Sequence, residues 1–115
     1  LEECVFCQIV RKEIPAEIVM ETERVIAFHD INPEAPTHIL LIPKKHLANI
    51  SDEKLPNDPE LAAEVFQAIQ SITSDLGLTD DGFRVVVNCG SSAGEAVPHL
   101  HFHILGGRQM TWPPG

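Results

Sequence analysis

The chain has 115 residues, 43% of them apolar and 22% charged, with a formal net charge of −9 when histidine is neutral. That is the length and balance of one globular domain with a single core. The acidic balance excludes a surface built to grasp a nucleic-acid backbone, which needs clustered Lys and Arg, and no apolar run approaches the ~20 residues of a membrane span.

No secretory signal is visible, and the three cysteines are an odd number with one close pair. That usage fits a reducing compartment better than a disulfide scaffold, so a cytoplasmic location is expected. Over residues 4–11, Val5, Phe6, Ile9 and Val10 recur at helical spacing, which predicts a short helix ended before Pro15. Cys4 and Cys7 share one side of that helix. By themselves they read as two small buried residues, as a redox pair, or as half of a zinc site that needs two more ligands.

The segments 18–20 and 25–30 flank Glu21-Thr-Glu-Arg24 and read as an antiparallel hairpin. Pro33 and Pro36 make 32–36 a loop. His38 to Pro43 is the next strand; its continuously apolar stretch 39–42 predicts a central strand covered on both faces. Lys44, Lys45 and His46 form an exposed connection, with the two lysines a solvated charge pair. Asp58-Pro59 suits an N-cap followed by proline at the first helical position. Leu61, Val65, Ala68, Ile69, Ile72 and Leu76 then recur at spacings of three and four. This predicts an amphipathic helix over 59–76, closed by Gly77. A turn at 79–82 leads to a fourth strand over 83–88.

Next comes the loop Asn88-Cys-Gly-Ser-Ser-Ala-Gly-Glu-Ala-Val97. Gly90 and Gly94 permit positive φ and close approach of backbone to a ligand, and such a loop can aim several N–H groups at an anion. It delivers the chain into Pro98-His99-Leu100-His101-Phe102-His103-Ile104-Leu105. Alternation at period two predicts a fifth strand, with His99, His101 and His103 on one face, roughly 6.6 Å apart. Imidazole titrates near neutrality, can act as a nucleophile and ligates metals. The expected architecture is a single α+β domain over 1–115. It is a five-stranded antiparallel meander sheet with one long helix and a short N-terminal helix. One helix does not cover both faces and an edge of such a sheet, so a homodimer is expected.

The His99-x-His101-x-His103 pattern resembles the signature of the histidine triad family, most closely its Hint-like, nucleotide-binding branch. The resemblance extends over 28–33, 35–38, 42–46, 87–88 and the tail 106–115. It implies a small homodimer whose two sheets join, binding a purine mononucleotide such as AMP or GMP, with no role for nucleic acid or membrane. The implied reaction is hydrolysis of purine nucleoside 5′-phosphoramidates at the α-phosphorus, with no cofactor for catalysis.

Carried over by position, His101 is the nucleophile that forms a nucleotidyl-imidazole intermediate, while His103 and His38 orient it and contact the phosphate or leaving group. Asn88 and Gly94 match phosphate contacts, Asp30 the ribose-binding carboxylate, and Trp112 a tail residue reaching the partner's site. Val5, Phe6, Ile9, Ile14, Ile31 and Leu40 match the walls of the base pocket, although ordinary core packing explains them equally well. In some relatives a Cys-x-x-Cys joins two histidines around a structural zinc; the matching set here is Cys4, Cys7, His46 and His99. For that, a kink at Pro98 or strand twist has to part His99 from His101.

The chain departs from the pattern at Glu95 and Ala96, where relatives commonly carry Gln and then Ser or Thr, and at Pro98, where an aromatic is frequent. The missing hydroxyl implies slower turnover, and Glu95 adds negative charge near a phosphate site. Three rival readings are a zinc-dependent hydrolase with all three histidines as ligands, a nucleotide-binding scaffold with weak residual activity, and a dinucleoside polyphosphate hydrolase.

Overall fold

A computed structural model describes residues 4–115. The elements in chain order are α1 (Val5–Val10), β1 (Ile18–Glu21), β2 (Val25–His29), β3 (Thr37–Pro43), α2 (Pro59–Asp75), the one-turn α3 (Leu78–Asp81), β4 (Phe83–Val86) and β5 (Phe102–Gly106). The five strands form one antiparallel sheet in the order β1-β2-β3-β5-β4. The α+β class and the five antiparallel strands are as expected. The strand order departs from a meander in one place, because β5 inserts between β3 and β4.

Burial explains the insertion. Phe102 and Ile104 on β5 are buried, so that strand needs a neighbour on each side. Phe83 and Val85 on β4 are 39% and 37% exposed, so β4 tolerates the edge.

The period-two geometry of a strand sorts side chains between two layers. Val25 and Ala27 of β2, Ile39 and Leu41 of β3, and Phe102 and Ile104 of β5 lie on one face, under Leu61, Val65, Ala68, Ile69 and Ile72 of α2. Ile26, Phe28, Leu40 and Ile42 lie on the other, against Phe6 and Ile9 of α1. The continuous apolarity of 39–42 therefore has the expected cause: β3 is covered on both faces. Each Val, Leu, Ile or Phe side chain among these, when fully buried, contributes about 1.5–3 kcal/mol. His38 follows the parity of Leu40, and His103 the opposite parity to Phe102 and Ile104. Both imidazoles thus come to the α1 side of the sheet.

Helix α2 starts and stops as its sequence signals indicate. The Asp58 carboxylate accepts from the Leu61 N–H and Pro59 opens the first turn, while Gly77 ends the helix at φ +71°. Arg24 also pairs with Asp58, tying the β1–β2 turn to the start of α2. Lys44 and Lys45 are not a free charge pair. Lys44 Nζ lies 2.8 Å from Glu21, and Lys45 Nζ 3.6 Å from Asp58. Among the described residues no helix is long and apolar enough to cross a membrane.

The histidine stretch is not strand throughout. His99, Leu100 and His101 precede β5, which begins at Phe102. The His99 N–H turns back to the Val97 carbonyl at 2.8 Å, and the Leu100 N–H donates to the Leu47 carbonyl at 2.7 Å. Leu100 is thereby paired to the 43–47 connection instead of β3. His99 leaves the row, and the expected file of three histidines becomes two plus one.

After β5 the chain runs against the β2–β3 loop. Gly107 has φ +90°, and a Cβ added there would lie 2.9 Å from Cβ of Pro36. Gly107→Ala therefore meets both a left-handed backbone and a ring that has little room to retreat. We expect a loss of about 1–3 kcal/mol of stability, measured as a lower urea midpoint with unchanged m-value.

Candidate functional site

Two clusters of ligating side chains lie on the α1 side of the sheet: Cys4, Cys7, His46 and His99, and Asp30, His38 and His103. The donor atoms of each lie within 4.8 Å of one another. Backbone contacts separate their chemistry.

In the first cluster, Nε2 of the fully buried His99 is 2.9 Å from the Pro43 carbonyl. A carbonyl only accepts, so Nε2 carries the proton and Nδ1 keeps the lone pair. That lone pair faces Sγ of Cys4 at 3.3 Å, Sγ of Cys7 at 3.6 Å and Nδ1 of His46 at 3.1 Å. Sγ of Cys7 is 3.3 Å from His46 Nδ1. Ordinary zinc–sulfur and zinc–nitrogen bond lengths around a tetrahedron give S···N edges of about 3.6 Å and N···N edges of about 3.3 Å. The donor set therefore fits a tetrahedral thiophilic ion, and the His99 contact to Pro43 is the usual outer support of such a ligand. Burial pushes the His99 pKa down, which keeps the ring neutral as ligation requires. Cys4 also caps α1, its sulfur accepting from the Cys7 N–H at 3.4 Å.

The second cluster is wired differently. The Glu34 N–H donates to Nδ1 of His38 at 3.0 Å. A backbone amide cannot accept, so Nδ1 holds the lone pair and Nε2 of His38 carries the proton. That Nε2–H points at Nδ1 of His103, 2.9 Å away, and lies 3.4 Å from Oδ2 of Asp30. Nδ1 of His103 accepts, so its Nε2 bears hydrogen. No lone pair on His38 is left for a metal, and this set is a proton-ordered imidazole pair instead of an ion cradle. Burial first, then His101 and His38, pushes the His103 pKa down to about 4, against a raising contribution from Asp30. His103 is therefore neutral at pH 7.

His101 stands between the clusters. Its Nδ1 is 2.7 Å from the His99 carbonyl and must carry the proton, which leaves Nε2 bare. Its ring packs edge-on against Phe6 and His103, with centroids 5.2 and 5.0 Å away.

A cleft of about 510 Å³ opens over these rings. Of the sequence-predicted residues it gathers Val5, Phe6, Ile9 and Ile14 from the N-terminal segment, Asp30 and Ile31 from the connection after β2, His38 and Leu40 from β3, and His101 and His103. Asn88, Gly94 and Trp112 are not in its lining, and Trp112 is 81% exposed. Asn88 lies two residues beyond Val86, the β4 partner of His103, at the mouth of the loop. Gly90 and Gly94 do adopt positive φ, +90° and +84°. Ala96 lines the cleft, whereas Glu95 does not; its carboxylate accepts from the Gly90 N–H at 3.1 Å and closes its own loop.

What sequence reasoning missed acts through backbone: the carbonyls of Pro43 and His99 and the amide of Glu34. No residue type signals them. His29 and Glu34 also line the cleft, and the described residues that line it include no Lys or Arg.

A family model described as the HIT domain matches residues 11–110. A HIT-like protein of Synechocystis is 47% identical over 99% of this chain and 98% of its own length. A maize protein named as a 14 kDa zinc-binding protein is 45% identical over 96% of this chain and 87% of its own. The crystal structure of a HIT family hydrolase from Legionella pneumophila superposes with TM-score 0.94 at 49% identity, covering 98% of this chain and all of that one.

The depressed His103 pKa makes stability depend on pH in a definite sense. The unfolded state binds the proton near pH 6.5, and the folded state only near 4. The contribution is complete above pH 6.5 and is lost as pH falls from there to 4. We expect the melting temperature of a His103→Asn variant to fall less between pH 7.5 and 4.5 than that of the parent, followed by circular dichroism.

Proposed function

The chain belongs to the HIT domain family, and from that premise we propose that it hydrolyses purine nucleoside 5′-phosphoramidates through His101. The observation that carries this reading is the 2.7 Å contact of His101 Nδ1 with the His99 carbonyl. It leaves the Nε2 lone pair beside an imidazole pair ordered the opposite way, with hydrogen on His103 Nε2.

In the first step Nε2 of His101 bonds to the α-phosphorus as the P–N bond breaks. The departing nitrogen leaves as the neutral amine, taking one proton from solvent while the Nε2–H of His103 donates a hydrogen bond to it. The intermediate holds a nucleotidyl-imidazolium at His101 next to a neutral His103. The oxygen of a water then bonds to phosphorus as the bond from phosphorus to His101 Nε2 breaks, and the water's proton goes to solvent, releasing the mononucleotide and neutral His101. His38 keeps His103 in the required orientation.

The sugar is assigned to Asp30, whose Oδ1 is held by the Asn32 N–H at 2.8 Å. The base is assigned to the apolar wall of Phe6, Ile31 and Leu40. Ile31 is 91% exposed on the cleft rim, where an aromatic ring would cover it. With no Lys or Arg among the described lining residues, the phosphate is held by imidazole and backbone N–H groups. That favours one phosphoryl group over a polyphosphate chain. Asn88 and Gly94 enter through the loop beside His101. Trp112 enters through a second copy of the chain, to which the exposed Phe83 and Val85 of the edge strand β4 offer apolar side chains.

Cys4, Cys7, His46 and His99 are assigned to a structural zinc. Four protein ligands leave no open position, so the ion supplies stability and no chemistry at phosphorus. The fit of the donor set supports this, as does the maize relative's description.

His101→Ala should lower phosphoramidate turnover by at least about 10³-fold, with mononucleotide affinity within a few-fold by calorimetry. A covalent nucleotidyl adduct should map to His101; an adduct at His99 or His103 would refute the assignment. For the metal, elemental analysis of protein purified without added zinc should find one ion per chain. Cys4→Ser should depress melting temperature more than turnover, because the ion tethers α1 to the sheet. Lost catalysis with intact stability would contradict a closed site.

A further inference from the structure

The hydrogen of His103 Nε2 has its origin outside the cleft. His103 is ordered by His38, and His38 by the Glu34 N–H. Glu34 sits in the 32–36 loop between Pro33 and Pro36, and its carbonyl accepts from Nε of Arg108 at 3.0 Å. The amide to His38 and the carbonyl to Arg108 belong to the two peptide planes on either side of the Glu34 Cα. Holding both fixes φ and ψ there and aims the N–H. Arg108 follows Gly107, whose missing side chain lets the strand exit press against Pro36. A second Arg108 contact, Nη1 to the Gln109 carbonyl at 3.3 Å, steadies the guanidinium. Arg108 itself is exposed and does not line the cleft.

We propose that Arg108 is a positioning residue for the His38–His103 pair, acting through the Glu34 backbone to keep the proton on Nε2 of both rings. Without that anchor the loop loses the contact that orients the Glu34 amide. A neutral His38 is then free to place its proton on either nitrogen. When Nδ1 of His38 is protonated, its bare Nε2 faces the lone pair on His103 Nδ1, and the pair breaks or reverses. The reversed pair leaves His103 Nε2 without hydrogen for the leaving group. The inference concerns proton placement and extends the proposed reaction; its catalytic consequence rests on that reading.

The test uses zinc-containing protein as purified and reads the ring nitrogens directly by two-bond ¹H–¹⁵N correlation at pH 7.5. The parent should show bare Nδ1 and protonated Nε2 on His38 and His103. Arg108→Met, which keeps the aliphatic stem, should move both rings toward averaged tautomers. It should also lower kcat on adenosine 5′-phosphoramidate about ten- to hundred-fold, with KM within two-fold. Arg108→Lys, which can still donate to the Glu34 carbonyl, should restore most of both. Arg84→Met removes a different tail contact, the 2.9 Å bond from Nη2 to the Thr111 carbonyl, and should leave the tautomers and kcat unchanged.

A protonated Nδ1 on His38 in the parent would overturn the proposal without any variant being made. So would unchanged tautomers in Arg108→Met, or an equal disturbance in Arg84→Met. If the parent turned over no phosphoramidate yet its tautomers still answered to Arg108, the positioning role would stand and the assigned reaction would fall.

Discussion

A neutral imidazole has one lone pair and one N–H, and its ring does not decide which nitrogen holds which. In this protein the main chain decides. The Pro43 carbonyl accepts from the Nε2–H of His99, the His99 carbonyl accepts from the Nδ1–H of His101, and the Glu34 N–H donates to the Nδ1 lone pair of His38. Three backbone groups thus give chemically identical side chains three arrangements: a lone pair turned to the cysteine sulfurs, a bare nitrogen in the cleft, and an N–H turned to His103. The three groups are fixed from different places: Pro43 at the end of β3, His99 in the turn before β5, and Glu34 in the loop that Arg108 holds.

The same division explains how a weak element is kept in place. Helix α1 has six residues, far below the length at which a helix stands alone in water. Phe6 and Ile9 give it an apolar footing on Ile26, Phe28, Leu40 and Ile42. Cys4 and Cys7 give it a second attachment, to His46 and His99. Phe6 and Ile9 are also the cleft's near wall, so whatever fastens α1 shapes the space over His101. Stability and site geometry are coupled here through a helix that could not form without its attachments.

Electrostatics in the cleft run against the intuition that a phosphate needs a cation. The chain carries a net charge of −9, and no Lys or Arg appears among the described lining residues. In the proposed reaction, oriented N–H groups in a partly buried site do that work at short range, and they add no charge that would favour longer phosphate chains. Ala96 lies in this lining without a hydroxyl to contribute, while Glu95 is occupied with the Gly90 amide.

Much was legible in the sequence because it depends on residue type and spacing. The period of Leu61, Val65, Ile69 and Ile72 specified α2, Asp58-Pro59 and Gly77 its ends, and 39–42 a strand covered on both faces. The histidine pattern and Cys4-x-x-Cys7 pointed to the residues that the fold gathers. What tertiary structure alone decided follows from contacts between distant backbone groups, which carry no signature in residue identity. The Leu100 N–H reaches the Leu47 carbonyl and takes His99 out of the row. The burial of Phe102 and Ile104 places β5 inside β4 instead of at the edge. The Glu34 amide, 69 residues from His103 in sequence and one ring away in space, sets where a proton sits. A sequence specifies which imidazoles are present; the positions of peptide N–H and C=O groups around them exist only once the chain has folded.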